Sequence, residues 1–218
     1  MTKQIAIDTS FARAARILLA SQPVTQIVMV GCGGTGSWLA PSIARLARVL
    51  SESDRKIKVV FVDHDEVEPV NIPRQNFYDA EIGQNKAIAL ATRYSQYWGL
   101  EIAAVPFRFD PKKVRGSHNT LTIVVGCVDN AAARRSINEA AKWYDSKSAP
   151  RFWWLDCGNY ADGGQVLLGS ASTAARLEAA FTTPKICTAL PSPAMQNPDL
   201  LKARPEEAGK RMSCAELQ

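Results

Sequence analysis

Residues 28–37, which read VMVGCGGTGS, constrain the fold more than any other stretch of the chain. An apolar run leads directly into four glycines, and apolar residues at helical spacing follow them. A strand, a tight glycine turn and a helix start together point backbone N–H groups at a phosphate, because glycine permits close approach. The stretch predicts a nucleotide-binding turn, with an ordinary strand–helix turn as the alternative, and it lacks the Gly-Lys-Ser/Thr ending of a Walker-type loop. The four glycines are Gly31, Gly33, Gly34 and Gly36.

Apolar runs of strand length alternate with stretches of helical periodicity along most of the chain. This alternation predicts an α/β fold with a doubly wound, Rossmann-like, mostly parallel sheet flanked by helices. After residue 170 the periodicity ends and several prolines occur, so we expect a nucleotide-binding domain at 1–170 and an irregular, mobile tail or crossover segment at 171–218. Expected strands include 57–62, 102–107, 120–127, 151–157 and 165–170, and expected helices include 11–20, 84–98 and one that ends near residue 144.

Composition narrows the class of protein. A chain of 218 residues with 46% hydrophobic and 22% charged residues is typical of a soluble globular protein that buries a core. The net charge of +5 comes from scattered basic residues, which favours solvated faces or a phosphate-rich small molecule over nucleic acid. The five cysteines include no CxxC pair, so no zinc is expected. No signal peptide and no apolar run of membrane-spanning length are evident, and we expect a cytoplasmic protein without membrane contact.

Polar residues cluster after the predicted strands, where the loops of a doubly wound sheet converge on one crevice. Asp63 follows a strand and is placed to accept hydrogen bonds from a ribose, although its distance from Gly36 exceeds the ~20 residues of a dinucleotide fingerprint. Asn71, Arg74 and Gln75 offer donors from one loop, and Lys86 adds a charge from the next helix. Several fixed cations suit a triphosphate better than a nicotinamide cofactor.

The loop after the 120–127 strand supplies a candidate metal ligand. The Asp129 carboxylate is a hard oxygen ligand that suits Mg²⁺ between phosphates. The alternative is that Asp129 and Asn130 only cap the next helix. Comparable alternatives apply to Lys86 as a solvated lysine, Arg74 as a surface charge and Asp63 as a turn former, but their joint occurrence favours a site.

Five segments together resemble the ThiF/MoeB adenylating enzymes and the ubiquitin-activating enzymes that share their core. They read GCGGTGS, FVDHDEVEPVNIPRQNF, GQNKA, CVDN and GNYADGGQV, and the resemblance covers about residues 24–170. Within this superfamily the chain looks most like the ThiF-family proteins of PRTRC systems. The resemblance implies ATP-dependent adenylation of the C-terminal glycine of a ubiquitin-like or sulfur-carrier protein. A nicotinamide or flavin oxidoreductase and a non-catalytic partner subunit are the alternatives.

The resemblance also implies roles for individual residues. The four glycines would line the nucleotide, Asp63 would bind the ribose, and Asp129 would bind Mg²⁺. The other residues expected to bind the nucleotide are Asp65, Asn71, Arg74, Gln75 and Lys86. The catalytic candidates in the core are Arg74, Lys86 and Asp129.

Two features outside the core are implied in the same way. Related enzymes commonly form homodimers and borrow an arginine from the partner's N-terminal helix, for which Arg13 and Arg16 are the candidates. A thioester on a tail cysteine would use Cys187, with Cys214 as the rival and an inert thiol as the alternative, because a reactive cysteine should be exposed and near positive charge. The other cysteines, Cys32, Cys127 and Cys157, lie near predicted strand ends and are expected to be packing residues.

Overall fold

A computed structural model describes residues 16–52, 56–114, 119–143, 151–160, 163–181 and 186–203. The strands are β1 (Arg16–Ile17), β2 (Val24–Val30), β3 (Lys56–Val62), β4 (Ile102–Val105), β5 (Thr120–Gly126), β6 (Phe152–Tyr160), β7 (Gly163–Gly169) and β8 (Ile186–Cys187). The α-helices are α1 (Gly34–Leu50), α2 (Lys86–Trp98), α3 (Ala131–Trp143), α4 (Ala174–Glu178) and α5 (Pro193–Gln196). Short 3₁₀ turns cover Pro69–Asn71, Asp79–Glu81, Pro111–Val114, Ala179–Phe181 and Pro198–Leu201.

Six strands form the central sheet in the order β4-β3-β2-β5-β6-β7. The first five are parallel, and β7 returns antiparallel along β6 as an edge strand. Strand β2 lies inside the sheet, and its second half, residues 27–30, is buried on both faces, which explains why those four residues form an apolar run instead of an alternating pattern. The predicted Rossmann-like, mostly parallel α/β fold is confirmed.

Helices cover both faces of this sheet. One core contains Met29, Phe61 and Leu90, and it joins β2 and β3 to α1 and α2. The other core contains Val124 and Ile137 and joins the sheet to α3. Alternate residues of β2, β3 and β5 therefore belong to different cores, as the twofold repeat of a strand requires.

The register of the three inner strands positions the site. Val30 of β2 aligns with Val62 of β3 on one side and with Gly126 of β5 on the other. The three strands therefore end level with one another, and the residues that follow them leave the sheet side by side. This edge is where the glycine turn, the residue 63 loop and the residue 127 loop meet.

The chain ends differ from the sequence expectations. Of the helix predicted at 11–20, residues 16–20 are described, and they are not helical, because Arg16 and Ile17 pair in parallel with Ile186 and Cys187 as a separate two-stranded sheet. Residues 11–15 lie outside the described part. A strand of two residues is too short to show a sequence periodicity, so β1 could be recognised only from its pairing with β8.

The described residues of the expected tail pack against the domain instead of hanging free. The N–H groups of Ser170 and Ala171 donate to the carbonyl of Leu190 at 3.0 and 2.9 Å. Arg135 on α3 donates to the carbonyl of Leu201 at 2.7 Å, and Leu200 is buried. None of the helices in the described part of the chain has the length and apolar character needed to cross a membrane.

Candidate functional site

The glycine turn between β2 and α1 requires glycine at two of its four glycine positions. Gly31 has φ +91°, and a Cβ there would lie 2.6 Å from the carbonyl oxygen of Cys127. A Cβ on Gly36 would lie 1.9 Å from the carbonyl oxygen of Gly31, so the first turn of α1 packs directly on the loop. By contrast, Gly33 and Gly34 have open space around the Cβ position. They form the accessible side of the turn, where a ligand can approach the backbone.

Asp63 ties the end of β3 to this turn. Its Oδ2 accepts the N–H of Cys32 at 2.6 Å, and its Oδ1 accepts the N–H of Asp65 at 2.9 Å. Burial raises the pKa of the Asp63 carboxyl, while these two backbone hydrogen bonds oppose the rise. A carboxylate has about four acceptor sites, so Asp63 retains capacity for ribose hydroxyls beside the bonds that hold it.

Asn85 attaches the start of α2 to the same loop. Its Oδ1 accepts the N–H groups of Ala87 and Ile88, which caps the helix. Its Nδ2 donates to the carbonyls of Asp63 and Asp65 at 2.9 and 3.0 Å. The helix N-terminus is therefore fixed against the end of β3.

This attachment brings Lys86 to the crevice edge. The Lys86 N–H donates to the Asp65 carbonyl, and its Nζ lies 3.7 Å from Asp65 Oδ2. The Lys86 side chain is only 9% exposed, whereas that of Asp65 is 56% exposed. A nearly buried ammonium beside a mostly solvated carboxylate is only partly compensated, and an anionic ligand would complete its environment.

The 69–76 loop contributes both a frame and an exposed cation. Asn71 is buried, and its Oδ1 accepts the N–H of Glu68 at 3.0 Å, so it orders the loop. Gln75 is also buried, and its Oε1 has no hydrogen-bond partner among the described residues. The carbonyl of Arg74 accepts the indole N–H of Trp38 at 3.2 Å, which places the loop beside the start of α1, and the Arg74 residue is exposed.

Asp129 follows β5 and lies on an exposed part of the same edge. The cap of α3 is Asn130, whose Oδ1 accepts the N–H of Ala133 at 2.9 Å, while its Nδ2 donates to Asp129 Oδ1. The Asp129 carboxylate is thus free of the capping role and suits Mg²⁺, which binds proteins through one or two carboxylates together with phosphates.

A second acidic group fits a cation less well. Asp63, His64 and Asp65 bring potential ligand atoms within 4.8 Å of one another. Both Asp63 oxygens already accept backbone N–H groups, and the Lys86 ammonium lies beside Asp65. A divalent ion there would compete with a positive charge already in place.

A buried ion pair lies beneath the edge, and the sequence pattern did not predict it. Arg134 of α3 and Asp156 of β6 are both buried, and Arg134 Nε lies 3.1 Å from Asp156 Oδ1. Gln165 donates to Asp156 Oδ2, and Arg134 Nη2 donates to the carbonyl of Val128 at 2.6 Å. Arg134 therefore supports the loop that carries Asp129. The sequence did contain a signal, because Asp156 stands within an apolar strand and needs a partner.

The described candidates outside the core, Arg16 and Cys187, lie in the separate two-stranded sheet of β1 and β8. Cys187 is only 1% exposed and lies in β8, paired with β1, so the expectation of an exposed thiol in a loose tail is wrong. Arg16 is exposed in β1 instead of lying on a helix. Arg13 and Cys214 lie outside the described residues.

A separate cleft of about 640 Å³ lies between α1 and α2. Aromatic and arginine side chains, including Tyr78, Arg93 and Trp98, line it. Its lining contains none of the predicted nucleotide-binding residues, so this cleft is distinct from the crevice at the strand ends.

Comparisons with known proteins agree with the motif pattern. The model of the ThiF family matches residues 18–167. None of the curated proteins compared with the chain matches it.

Three solved structures illustrate the similarity. PaaA is 22% identical, with 63% of this chain and 38% of PaaA covered and a TM-score of 0.44. E. coli MccB with ATP is 21% identical, with 63% and 38% covered and a TM-score of 0.44. The E. coli tRNA N6-threonylcarbamoyladenosine dehydratase TcdA, in complex with ATP, is 25% identical, with 50% and 46% covered and a TM-score of 0.38. The chain thus spans less than half the length of each of these proteins.

Proposed function

Because this chain belongs to the ThiF family, we propose that it uses ATP to adenylate a carboxylate, namely the C-terminal glycine of a small ubiquitin-like or sulfur-carrier protein. The observation that carries the proposal is Lys86, a nearly buried cation at the start of α2, which is fixed against the loop that follows β3. A triphosphate is the kind of ligand that such a cation and an open glycine turn would bind together.

In the proposed reaction the carrier carboxylate attacks the α-phosphorus of ATP. A bond forms between a carboxylate oxygen and phosphorus, the bond to the bridging oxygen breaks, and pyrophosphate leaves with its electrons. A carboxylate needs no strong base, so the main tasks are positioning and stabilising the phosphate charge.

Each candidate residue has a proposed role. Asp63 binds the ribose, the open side of the glycine turn contacts the phosphates, and Lys86 and Arg74 stabilise the charge that develops on them. Asn71 and Gln75 order the loop that carries Arg74, and Asp65 orients Lys86. Asp129 would hold Mg²⁺, which neutralises phosphate charge when bound.

A homodimer forms part of the proposal, with Arg16 or Arg13 reaching the partner's site. Sedimentation of the full chain at several concentrations tests the dimer, and a monomer at every concentration would contradict it.

The thioester step is not proposed for Cys187, because that thiol is buried. Cys214 remains the candidate from the sequence.

The test of adenylation begins with a probe that needs no carrier. Calorimetry with ATP and Mg²⁺ should detect binding by the wild-type chain, and NADH should bind far more weakly. Pyrophosphate exchange into ATP, with small proteins that end in glycine as carriers, then measures the reaction. Lys86→Ala and Arg74→Ala should each lower exchange by about 100-fold or more, because each removes a charge that stabilises the transition state.

Matched controls separate these roles from general charge effects. Lys202→Ala removes an exposed lysine that pairs only with Asp199 among the described residues, and Arg48→Ala removes an exposed arginine from the last turn of α1. Both controls should exchange at the wild-type rate. Unchanged exchange in both Lys86→Ala and Arg74→Ala would refute the assigned roles, and ATP binding without exchange would favour a non-catalytic partner subunit.

A further inference from the structure

Cys127 and Cys157 lie side by side at the edge of the sheet that carries the glycine turn. In the parallel pairing of β5 with β6, Gly126 aligns with Asp156, so these two cysteines are the next pair along the same strands. Both pack against the core on the α1 side of the sheet. The neighbouring Cys157 raises the pKa of the Cys127 thiol, and both residues are partly exposed free cysteines.

Cys127 is also in close contact with the glycine turn. Its N–H donates to the carbonyl of Val30 at 2.8 Å. Its carbonyl oxygen lies 2.6 Å from where a Cβ on Gly31 would be, and its Cβ lies 3.3 Å from where a Cβ on Gly36 would be. Because no space separates Cys127 from the turn, a shift of Cys127 must be transmitted to the turn.

We propose that Cys127 and Cys157 form a redox-sensitive dithiol, and that its oxidation to a disulfide by a peroxide distorts the glycine turn and weakens nucleotide binding. A disulfide requires the two sulfurs to approach to about 2.05 Å, so both side chains must be drawn toward each other and repack at the ends of β5 and β6. Paired positions on adjacent strands lie about 5 Å apart between Cα atoms, which is within the range that a disulfide spans.

The chemistry balances with hydrogen peroxide as the oxidant. One cysteine sulfur attacks a peroxide oxygen, the O–O bond breaks, and a sulfenic acid and water form. The second sulfur then attacks the sulfenic sulfur, the S–S bond forms, and the hydroxyl leaves as water with the second thiol proton. The two thiols lose two electrons and two protons in total, and the peroxide is reduced to two waters.

The first part of the test measures the disulfide. The reduced full chain is treated with hydrogen peroxide, its remaining thiols are alkylated, and its peptides are mapped by mass spectrometry. We expect a Cys127–Cys157 linked peptide lighter by two hydrogens, absent from Cys157→Ser and Cys127→Ser and retained in Cys32→Ser. Oxidation that stops at one residue, or that links other cysteines instead, would overturn the proposal.

The second part of the test measures the effect of the disulfide on ATP binding. This part of the inference rests on the proposed function. ATP binding is compared by calorimetry between the reduced, oxidised and dithiothreitol-restored chain. We expect affinity to fall by about tenfold or more on oxidation and to return on reduction, because phosphate binding at a helix start depends on the geometry of the backbone N–H groups in the turn. Cys157→Ser should bind ATP before and after peroxide alike. Equal affinity of the two redox states would overturn the coupling, whereas failure of the reduced chain to bind ATP at all would refute the proposed function while the linked peptide still reports on the dithiol.

Discussion

Gly36 determines how closely α1 approaches the loop that follows β2. A Cβ at this position would lie 1.9 Å from the Gly31 carbonyl oxygen and 2.9 Å from its carbonyl carbon. Backbone atoms cannot rotate away as a side chain can, so the helix start would have to move. Gly34, two residues earlier in the same helix, has open space around the Cβ position and serves as the matched comparison.

We therefore expect Gly36→Ala to lower the free energy of unfolding by about 3 kcal/mol, the upper range for forcing extra atoms into a packed site. Gly34→Ala should be neutral or stabilise by about 0.5–1 kcal/mol, because alanine is favoured over glycine inside a helix. Urea denaturation followed by tryptophan fluorescence measures both. Equal stability of the two variants would show that the turn relaxes without cost.

Among single residues, the sequence could identify those whose position follows from strand–loop alternation. Asp63 directly follows a strand and Lys86 begins a helix, so both could be placed at the edge from local pattern. The burial of Cys187 could not be foreseen, because it depends on pairing with Ile17, which is remote in the sequence. The cysteines at 127 and 157 were expected to be packing residues, and their placement side by side depends on the β5–β6 register.

At the level of elements, the loop between β5 and α3 is supported by a buried ion pair. Arg134 on α3 reaches Asp156 on β6 and also binds the Val128 carbonyl. The long strands and helices of the sheet could be predicted because their apolar periodicity is local. This cross-element pair could not, because its two members lie on different elements and no local period links them.

Removal of one member of this pair should be costly. We expect Arg134→Met to lower the free energy of unfolding by about 3–5 kcal/mol, because it leaves the Asp156 carboxylate buried without its cation. The double variant Arg134→Met, Asp156→Leu should recover much of that loss, since no charge then remains buried. Chemical denaturation measures both variants.

The adjacent arginine provides the control for that experiment. Arg135 is exposed and donates to the Leu201 carbonyl, so Arg135→Met should cost only about 1 kcal/mol. If Arg134→Met and Arg135→Met were equally stable, the ion pair would not support the loop between β5 and α3.

At the level of the whole molecule, the segment after residue 170 is joined to the sheet through several contacts. A Cβ on Gly169 would lie 1.7 Å from the Pro191 carbonyl oxygen, so the returning chain packs directly on the end of β7. Gln196 donates to the carbonyls of Leu168 and Pro191, and Leu200 is 4% exposed. The sequence pattern could not reveal this packing, because proline-rich turns have no period and their contacts depend on the surface that receives them.

A substitution at Leu200 tests whether the segment after residue 170 unfolds together with the sheet or independently of it. If the segment is part of one cooperative unit, Leu200→Ala should lower the global free energy of unfolding by about 2–4 kcal/mol, through lost burial and the cavity that remains. The change would appear in the fluorescence of Trp153 and Trp154, which are buried in β6, away from the substitution in sequence. Lys202→Ala, an exposed position two residues later, should leave the transition unchanged. A Leu200→Ala transition that matches wild type by tryptophan fluorescence would mean that the segment unfolds separately, and that the domain boundary near residue 170 is also an energetic one.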